Sequence, residues 1–175
     1  MRKLNIGSGR SVLEGWDNLD NHKKFGANII LDMNKVPYLI KSNTYDYILA
    51  SYVLEHFNDS LSQLDEWLRI LNKGGRLEII VPYGDLCFDS IDHRKIFYLM
   101  TFIDAINEGD FGREAIKNVK LEYYGFYTRQ TKIWARMKVS LFNFFIKIHP
   151  KIIDYTLLRF LCKGVSIRVI YRKEK

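Results

Sequence analysis

The chain has 175 residues, of which 47% are hydrophobic, and this composition predicts one globular domain over residues 1–175 and excludes an intrinsically disordered chain. Its two cysteines, Cys87 and Cys162, lack the spacing of a zinc site or a disulfide framework, so no metal site is predicted. The amino-terminal segment lacks the apolar core of a secretory signal, and no uncharged run is long enough to span a membrane, which favours a cytoplasmic protein.

The net charge of +7 is concentrated in the second half of the sequence. Residues 101–175 hold 15 basic and 7 acidic side chains, whereas residues 1–100 are nearly balanced. A basic half suggests an anionic partner, such as nucleic acid, a phospholipid surface or a phosphorylated substrate. A basic surface that only keeps the protein soluble explains the same charge.

The first 85 residues alternate short apolar runs with turns. Five of these runs predict strands, at residues 4–6, 16–20, 28–32, 45–50 and 76–81. Runs rich in Ile and Leu are typical of parallel strands that are buried on both faces. A helix between two such strands implies a right-handed crossover, and ligands then bind at the carboxyl ends of the strands.

The clearest helix is predicted over residues 61–71. Four leucines recur there at helical spacing, and Ser60 with Gln63 predicts a capping box at the start of the helix. Gly74-Gly75 predicts its end, because glycine adopts the left-handed conformation that terminates helices.

After residue 85 the pattern changes. The sequence predicts a helix over 93–107 and strands over 119–128 and 165–171. Between these two strands, residues 131–162 predict two apolar helices that are broken at Pro150.

A glycine turn, Gly7-Ser8-Gly9, follows the first predicted strand. Glycines there let the backbone turn tightly and approach a ligand without interference from a side chain. The dinucleotide-binding fingerprint has a third glycine, which is missing here. An ordinary turn after a strand explains the two glycines equally well.

Two aspartates, Asp20 and Asp32, end the second and third predicted strands. A carboxylate at this edge of a sheet can accept hydrogen bonds from both hydroxyls of a ribose. Either aspartate could instead cap a helix or lie in a solvated turn. Two acids at the ends of successive strands, downstream of a glycine turn, favour a ligand-binding role.

The longest motif joins the fourth strand, the helix and the fifth strand. Residues 45–57 read YDYILASYVLEHF, and residues 70–82 read ILNKGGRLEIIVP. With the glycine turn and Asp20, this run resembles the class I S-adenosylmethionine (SAM)-dependent methyltransferases, in particular the methyltransferase type 11-like subgroup. The resemblance covers residues 3–85 and implies an α/β, Rossmann-like fold with a mostly parallel sheet and an antiparallel last strand. Residues 131–162 then form a helical insertion near the C-terminus.

The resemblance also implies a SAM site. The glycine turn holds the methionine part of SAM in that family, the acid after strand two binds the ribose, and residues after strands three and four lie by the adenine and form the floor. The cofactor-binding residues so implied are Asn5, Gly7, Ser8, Gly9, Asp20, Asp32, Met33, Ala50, Ser51 and His56. Residues 1–85 then form a cofactor-binding half, and residues 86–175 form a substrate-side half.

One departure from the family concerns the first crossover. Only ten residues separate Gly9 from Asp20, where the family has a full helix, so residues 11–15 predict a truncated crossover. A subgroup of predicted methyltransferases shares this form, and residues 15–20, GWDNLD, match its pattern.

Methyl transfer is a displacement in which the protein chiefly positions the reactants and excludes water. A base is needed only when the acceptor must lose a proton. His93, which follows the fifth strand, and His56 are the catalytic candidates, because histidine accepts protons near neutral pH. Each histidine could instead only hold its loop by hydrogen bonding or packing.

Residues 131–162 offer a surface for a partner. Apolar and aromatic side chains recur there at helical spacing opposite a narrow polar and basic stripe. This face suits an inner packing layer or a homodimer. Its basic rim also suits an anionic membrane surface, at which the protein would be peripheral.

The resemblance therefore predicts a SAM-dependent methyltransferase that acts on a small-molecule acceptor or on a glycan- or lipid-linked one. The alternatives are a methyltransferase of RNA or another nucleic acid, which the basic half favours, and a non-catalytic SAM-binding protein. Against nucleic acid, the sequence has no motif typical of base-amine methylation and no recognisable RNA-binding module. The missing third glycine disfavours a dehydrogenase.

Overall fold

The computed structural model describes residues 1–84, 90–107, 120–125, 132–148, 151–155 and 165–174. Within these residues the chain forms one mixed sheet, against which helices pack. Cys87, Cys162 and the predicted break at Pro150 lie outside the described residues.

Seven strands form the sheet in the described part of the chain, in the order β3-β2-β1-β4-β5-β7-β6. They are β1 (Lys3–Ile6), β2 (Asp17–Asp20), β3 (Ile29–Ile30), β4 (Tyr45–Ser51), β5 (Leu71–Pro82), β6 (Lys120–Gly125) and β7 (Val165–Arg172). Strands β1 to β5 pair in parallel, whereas β7 is antiparallel to both of its neighbours, β5 and β6. The predicted α/β fold, with a mostly parallel sheet and an antiparallel last strand, is confirmed.

The link between β1 and β2 is a loop over residues 7–16, all of which are described and none of which is helical. The side chain of Asn18 holds this loop, because its Oδ1 accepts the Leu13 N–H at 2.9 Å and its Nδ2 donates to the Leu13 carbonyl at 2.9 Å. Backbone groups of the loop are thereby paired without helical hydrogen bonds. The predicted truncated crossover is confirmed.

The predicted third strand, 28–32, is too long. Only Ile29–Ile30 pairs with β2, at the edge of the sheet. After this pair the chain turns, because the Asp32 carboxylate accepts the Asn34 N–H at 3.1 Å and stabilises a turn in place of an extended strand.

Helix α1 (Ser60–Ile70) begins differently from its prediction. Its N-cap is Asp59, whose carboxylate accepts a backbone N–H of the first turn at 3.0 Å, so the predicted capping box of Ser60 and Gln63 is wrong. Gln63 is buried instead, and its side chain donates to the Met33 carbonyl at 2.9 Å. A carboxylate one residue earlier is the stronger acceptor, and it leaves Gln63 to pack inward.

The end of α1 also differs from its prediction. The helix ends at Ile70 and the chain passes directly into β5 at Leu71, so Gly74-Gly75 does not terminate it. Gly74 instead adopts a φ of +75° inside β5, where the pairing of β5 with β4 changes register. The two glycines serve an irregularity of the strand, at which a left-handed residue fits.

The core lies against both faces of the central strands. Leu4, Leu19, Ile48 and Ile79 have no exposed surface, and α1 adds the fully buried Trp67. Burial of each such aliphatic side chain contributes about 1.5–3 kcal/mol to stability. This packing fixes the carboxyl ends of the strands, and with them the loops that follow.

In the described residues after β5, the helices are α2 (Leu99–Asn107), α3 (Lys132–Ile148) and α4 (Lys151–Asp154). The predicted helix 93–107 is wrong in its first part, because residues 93–98 are not helical and Phe97 bridges to Tyr83. Helices α3 and α4 lie between β6 and β7 in the chain, as the predicted insertion requires. None of the described helices has both the length and the apolar character needed to cross a membrane.

Candidate active site

A cavity of about 420 Å³ opens at the carboxyl ends of β1, β2 and β4. Parallel α/β sheets bind their ligands at this edge. The lining residues follow β1 (Gly7, Gly9), β2 (Asp20, Asn21), β3 (Met33, Asn34) and β4 (Tyr52, Val53, His56, Phe57), and the loop before α2 adds Asp92 and Arg94. Residues from both halves of the chain therefore meet in one cavity.

Gly7 lies where the backbone after β1 approaches the loop after β4. Its φ is +63°, and a Cβ at this position would lie 2.3 Å from Val53 Cγ2. Any side chain at residue 7 would collide with Val53 and strain the backbone. Gly9 also has a positive φ, +46°, so the turn presents bare backbone to the cavity.

Asp20 lies directly against this glycine turn. Its Oδ2 accepts the Gly9 N–H at 2.8 Å, and its Oδ1 accepts the His22 N–H at 3.0 Å. These two bonds fix the carboxylate, and each oxygen keeps a lone pair for a ligand. The structure thus brings together the glycine turn and the acid that the sequence predicts to act jointly.

Two cavity residues, Asn21 and Asn34, are missed by the sequence analysis. The Asn21 side chain accepts the Met33 N–H at 2.8 Å and so joins the loops after β2 and β3. Met33, which the resemblance places by the adenine, lines the cavity. The signal that was available for both asparagines is their place within two residues of a strand-ending acid.

Asp32 is not among the described residues that line the cavity. Its side chain accepts the Asn34 N–H at 3.1 Å and lies 3.3 Å from Lys35 Nζ. The backbone bond from Asn34, together with Lys35, lowers the pKa of Asp32 below its usual range. Its predicted role beside the adenine stays a prediction.

Four other predicted cofactor residues lie next to the described cavity lining and not within it. Asn5 is buried, and its side chain donates to the Ser11 carbonyl at 2.8 Å, which holds the glycine loop. Ser8 and Ala50 are buried, and Ser51 is half-buried at the end of β4. Their part in cofactor binding stays a prediction, and Asn5 is placed to shape the loop.

His56, Asp92 and Arg94 form another part of the cavity wall, called here the histidine wall, and the second candidate, His93, packs against His56. His56 lines the cavity, and its Nδ1 lies 3.3 Å from Asp92 Oδ2. The ring of His93 packs edge-on against that of His56, with 4.9 Å between the ring centroids. His93 Nε2 lies 4.0 Å from Glu55 Oε1, and the His93 side chain is only 14% exposed. The structure brings the two candidates together, and His56 is the one that reaches the cavity.

Two carboxylates flank these histidines in different surroundings. Glu55 is fully buried, and burial, together with the charge of Asp92, raises the pKa of Glu55 to about 7. Asp92 is exposed, and a hydrogen bond from the Ser90 hydroxyl lowers the pKa of Asp92 below its usual range. Glu55 has no role predicted from the sequence, although this residue precedes His56 in the motif.

Tyr52 and Arg94 complete this wall and are also missed by the sequence analysis. Tyr52 adopts a φ of +54°, and its hydroxyl lies 2.7 Å from Ser166 Oγ on β7. The Arg94 N–H donates to the Glu55 carbonyl at 2.8 Å, which holds the loop before α2 against the one-turn helix Leu54–His56. These contacts join the second half of the chain to the cavity.

The lining residues fit the SAM that the resemblance implies. A bare glycine turn leaves room for a ligand close to the backbone, and a fixed carboxylate can accept the hydroxyls of a ribose. The thioether side chain of Met33 offers an apolar surface for a base. The cavity volume of about 420 Å³ lies within the range of small-ligand sites.

The sequence profile of the methyltransferase domain family matches residues 6–124, about two thirds of the chain. The matched segment contains the glycine turn, Asp20 and the wall with both histidines. A comparison with curated proteins yields no significant match.

Solved structures share the fold at low sequence identity. A SAM-dependent methyltransferase of Archaeoglobus fulgidus has a TM-score of 0.63 at 14% identity, over 98% of this chain and 86% of that one. Those of Mesorhizobium loti (TM-score 0.56, 13% identity, 98% and 90% coverage) and Aquifex aeolicus (0.51, 15%, 98% and 81%) are similar too. At such identities these likenesses establish the fold.

The chain belongs to the methyltransferase domain family. Family and fold together define it as a SAM-dependent methyltransferase, in which SAM is the methyl donor. The predicted family, fold, activity and cofactor are confirmed, and a methyl acceptor is implied.

Proposed function

We propose that this protein transfers the methyl group of SAM to a small-molecule acceptor or to a glycan- or lipid-linked one, at the wall formed by His56, Asp92 and Arg94. The observation that carries the proposal is a single cavity with two chemically different sides. One side has the glycine turn and Asp20, which suit a nucleoside. The other has an imidazole, a carboxylate and a guanidinium, which suit a polar acceptor.

The cofactor side chiefly supplies position. Bound SAM would supply a methyl group on a positively charged sulfur, which makes the methyl carbon electrophilic. We assign Gly7 and Gly9 to the methionine part, Asp20 to the ribose hydroxyls, and Met33 with Asn34 to the base. Asp20 is well suited to its role because two backbone N–H groups already hold it, so binding costs little reordering.

When the acceptor is a hydroxyl, His56 removes its proton as a general base. Asp92 lies by Nδ1 of His56 and favours the proton on that nitrogen, which leaves Nε2 to accept the proton of the acceptor. The ring of His93 packs against His56 and orients it. A positioned base of this kind contributes roughly 10²- to 10⁴-fold to the rate.

Formation of S-adenosylhomocysteine (SAH) from SAM tests this function. We expect turnover with one class from a panel of small alcohols and phenols, free sugars and lipid-linked sugars. With that acceptor, His56→Ala is expected to lower kcat by roughly 10²-fold or more. His93→Ala is expected to lower kcat less, while Asp65→Asn, at an exposed position of α1, keeps the wild-type rate. Equal rates in all three variants would remove the base from the proposal.

A nucleic-acid acceptor is the second candidate, and the basic half favours it, because residues 101–175 hold 15 basic and 7 acidic side chains. Binding to phosphates releases counterions and weakens steeply with salt. Fluorescence anisotropy with a labelled RNA at low and high salt measures this directly. Tight, salt-sensitive binding, followed by methylation of that RNA, would replace the small-molecule acceptor.

A further inference from the structure

Three side chains at and behind the histidine wall lie close enough to bind one ion together. Glu55, His56 and His93 each offer a ligand atom, and these atoms all lie within 4.8 Å of one another. Zinc binds nitrogen and oxygen ligands at about 2.0–2.2 Å, so the ligand atoms of a bound ion lie up to about 4 Å apart. The distance of 4.0 Å between Glu55 Oε1 and His93 Nε2 already meets this limit.

Glu55 is the most unusual member of the group. Its side chain is fully buried, and neither of its oxygens has a hydrogen-bond partner among the described residues. Buried polar groups are almost always paired, and an unpaired one calls for a ligand or a charge to complete it. His93 Nε2 lies 4.0 Å from Glu55 Oε1, which is beyond hydrogen-bonding distance.

Glu78 shows that this fold can satisfy a buried carboxylate. It accepts hydrogen bonds from Tyr47, Arg76 and Arg168 at 2.6 Å each. The same sheet therefore supplies three donors to Glu78 and none to Glu55. The lack of donors at Glu55 is a local property of the histidine wall.

We propose that Glu55, His56 and His93 bind a divalent transition-metal ion of the zinc class, with an open coordination position that faces the SAM cavity. Two imidazoles and one carboxylate are the donors of catalytic zinc sites and of related iron and manganese sites, whereas magnesium prefers oxygen ligands alone. His56 lines the cavity and Glu55 lies behind it, so a ligand in the remaining position would enter from the cavity.

Asp92 would support such an ion from outside its ligand set. Metal-binding histidines usually donate their other ring N–H to a carboxylate, which fixes the ring and strengthens its lone pair. His56 Nδ1 lies 3.3 Å from Asp92 Oδ2 and 3.3 Å from the Asp92 carbonyl. The backbone bond from Arg94 to the Glu55 carbonyl holds the two loops of the site together.

The ion would define the acceptor, and this consequence rests on the proposed function. With the ion bound, Nε2 of His56 is a ligand and no longer serves as the base, and a hydroxyl bound to the ion instead loses its proton to solvent more easily, because the cation stabilises the oxygen anion. That oxygen then forms a bond to the methyl carbon while the carbon–sulfur bond breaks and its electron pair stays on sulfur, which gives the methyl ether and SAH. The preferred acceptor would accordingly be an alcohol, phenol or sugar hydroxyl.

Binding of cobalt(II) and zinc to the purified, chelator-treated protein tests the site without turnover. We expect one ion per chain, with the visible absorption of cobalt(II) in a nitrogen- and oxygen-ligand site, displaced by zinc. His93→Ala and Glu55→Gln are expected to weaken zinc binding at least 10-fold, and Asp65→Asn, at an exposed position of α1, to leave it unchanged. The proposal is overturned if the wild type binds no ion, or if His93→Ala and Glu55→Gln bind it as tightly as the wild type.

Two further measurements separate this proposal from its neighbours. Thermal melting and SAH affinity of each variant, measured without metal, show whether the variant is folded. Asp92→Asn, at an exposed position, is a further variant, for which we expect zinc affinity to fall roughly 10-fold. Retained SAH binding without metal binding overturns the metal site and leaves the proposed function standing. Metal binding without any SAH affinity would overturn the proposed function and leave the metal site standing.

Discussion

Two carboxylates of the candidate site, Asp20 in the cavity lining and Glu55 buried behind His56, are held in opposite ways. Asp20 is fixed by two backbone N–H groups at 2.8 and 3.0 Å and remains accessible to a ligand. Glu55 is fully buried, and no described group donates a hydrogen bond to it. The fold therefore satisfies the Asp20 carboxylate with hydrogen bonds, whereas it leaves the Glu55 carboxylate without a hydrogen-bond donor among the described residues.

This difference separates the two tasks of the site. The SAM side is finished by local backbone contacts, so its changes are expected to alter cofactor affinity. The histidine wall is completed only when an acceptor or an ion binds. Substitutions there are therefore expected to alter turnover or ion binding without changing the affinity for the cofactor.

The largest expected effect is at Asp20. Asp20→Asn replaces a charged acceptor of the ribose hydroxyls with a neutral amide, at a cost of about 2–3 kcal/mol, or roughly 30- to 150-fold in SAM affinity. Isothermal titration calorimetry measures it. Asp32→Asn is the matched control, because Asp32 faces its own turn and Lys35. Equal losses in the two variants would contradict the assignment of the ribose to Asp20.

The next effect concerns the glycine turn and compares two glycines with positive φ. Gly7→Ala places a Cβ 2.3 Å from Val53 Cγ2, whereas Gly15→Ala meets nothing within 4 Å at a similar φ of +73°. Both variants bear the strain of a left-handed alanine, but only Gly7→Ala also overpacks, at about 1–3 kcal/mol more. Urea unfolding and SAH affinity of the two variants measure the difference. Equal losses in Gly7→Ala and Gly15→Ala would show that the contact with Val53 has no effect of its own.

A smaller effect contrasts the two buried glutamates. Glu78→Gln removes the charge between Arg76 and Arg168 and is expected to lower the free energy of unfolding by about 2 kcal/mol. Glu55→Gln, which removes a carboxylate without hydrogen bonds, is expected to be neutral or stabilising in metal-free protein. Urea unfolding at neutral pH decides, and a larger loss from Glu55→Gln would show that Glu55 is already satisfied.

The pH dependence of stability sharpens the same contrast. Burial tends to raise the pKa of Glu78, but hydrogen bonds from Arg168 and Tyr47 outweigh it, so the pKa lies below its ordinary value of 4.5. A lowered folded-state pKa stabilises the fold above the unfolded-state value, and this stability is lost as the pH falls through the folded-state pKa. Urea unfolding from neutral pH to about pH 3 should therefore show a steeper loss in the wild type than in Glu78→Gln.

The smallest expected effect on stability lies on α3. Met137, Leu141, Phe144 and Ile148 form an apolar stripe in which each side chain is more than half exposed. With the basic charge of this half, we expect the stripe to bind anionic lipid, so the wild type should co-sediment with phosphatidylserine vesicles at low salt. Phe144→Ser should lose this binding and change stability by less than about 0.5 kcal/mol. A concentration-dependent dimer without vesicle binding would assign the stripe to a second copy of the chain.

The sequence predicts the strands and α1 because their apolar periodicity is local. It fails at the ends of α1, where Asp59 competes with Ser60 as the cap and the glycine pair belongs to β5. The ends of α1 depend on which nearby acceptor caps the helix and on where β5 begins, and apolar spacing carries no information on either.

The site divides in the same way. The contact between the glycine turn and Asp20 is predictable, because parallel strand ends meet at one edge of a sheet. Asp32 is absent from the described cavity lining and accepts a hydrogen bond from its own loop, which spacing does not reveal. Nor does spacing reveal the contact between Glu55 and His93, because that contact requires residues 93–98 to be non-helical where the sequence predicts a helix.

A crystal structure of the protein grown with SAH tests the central claim most directly. We predict that both ribose hydroxyls lie within hydrogen-bonding distance of the Asp20 carboxylate, that the amino-acid end lies on the Gly7–Gly9 backbone, and that the sulfur points toward His56. Density for SAH elsewhere, or a ribose that contacts other groups while Asp20 keeps only its two backbone bonds, would contradict the account.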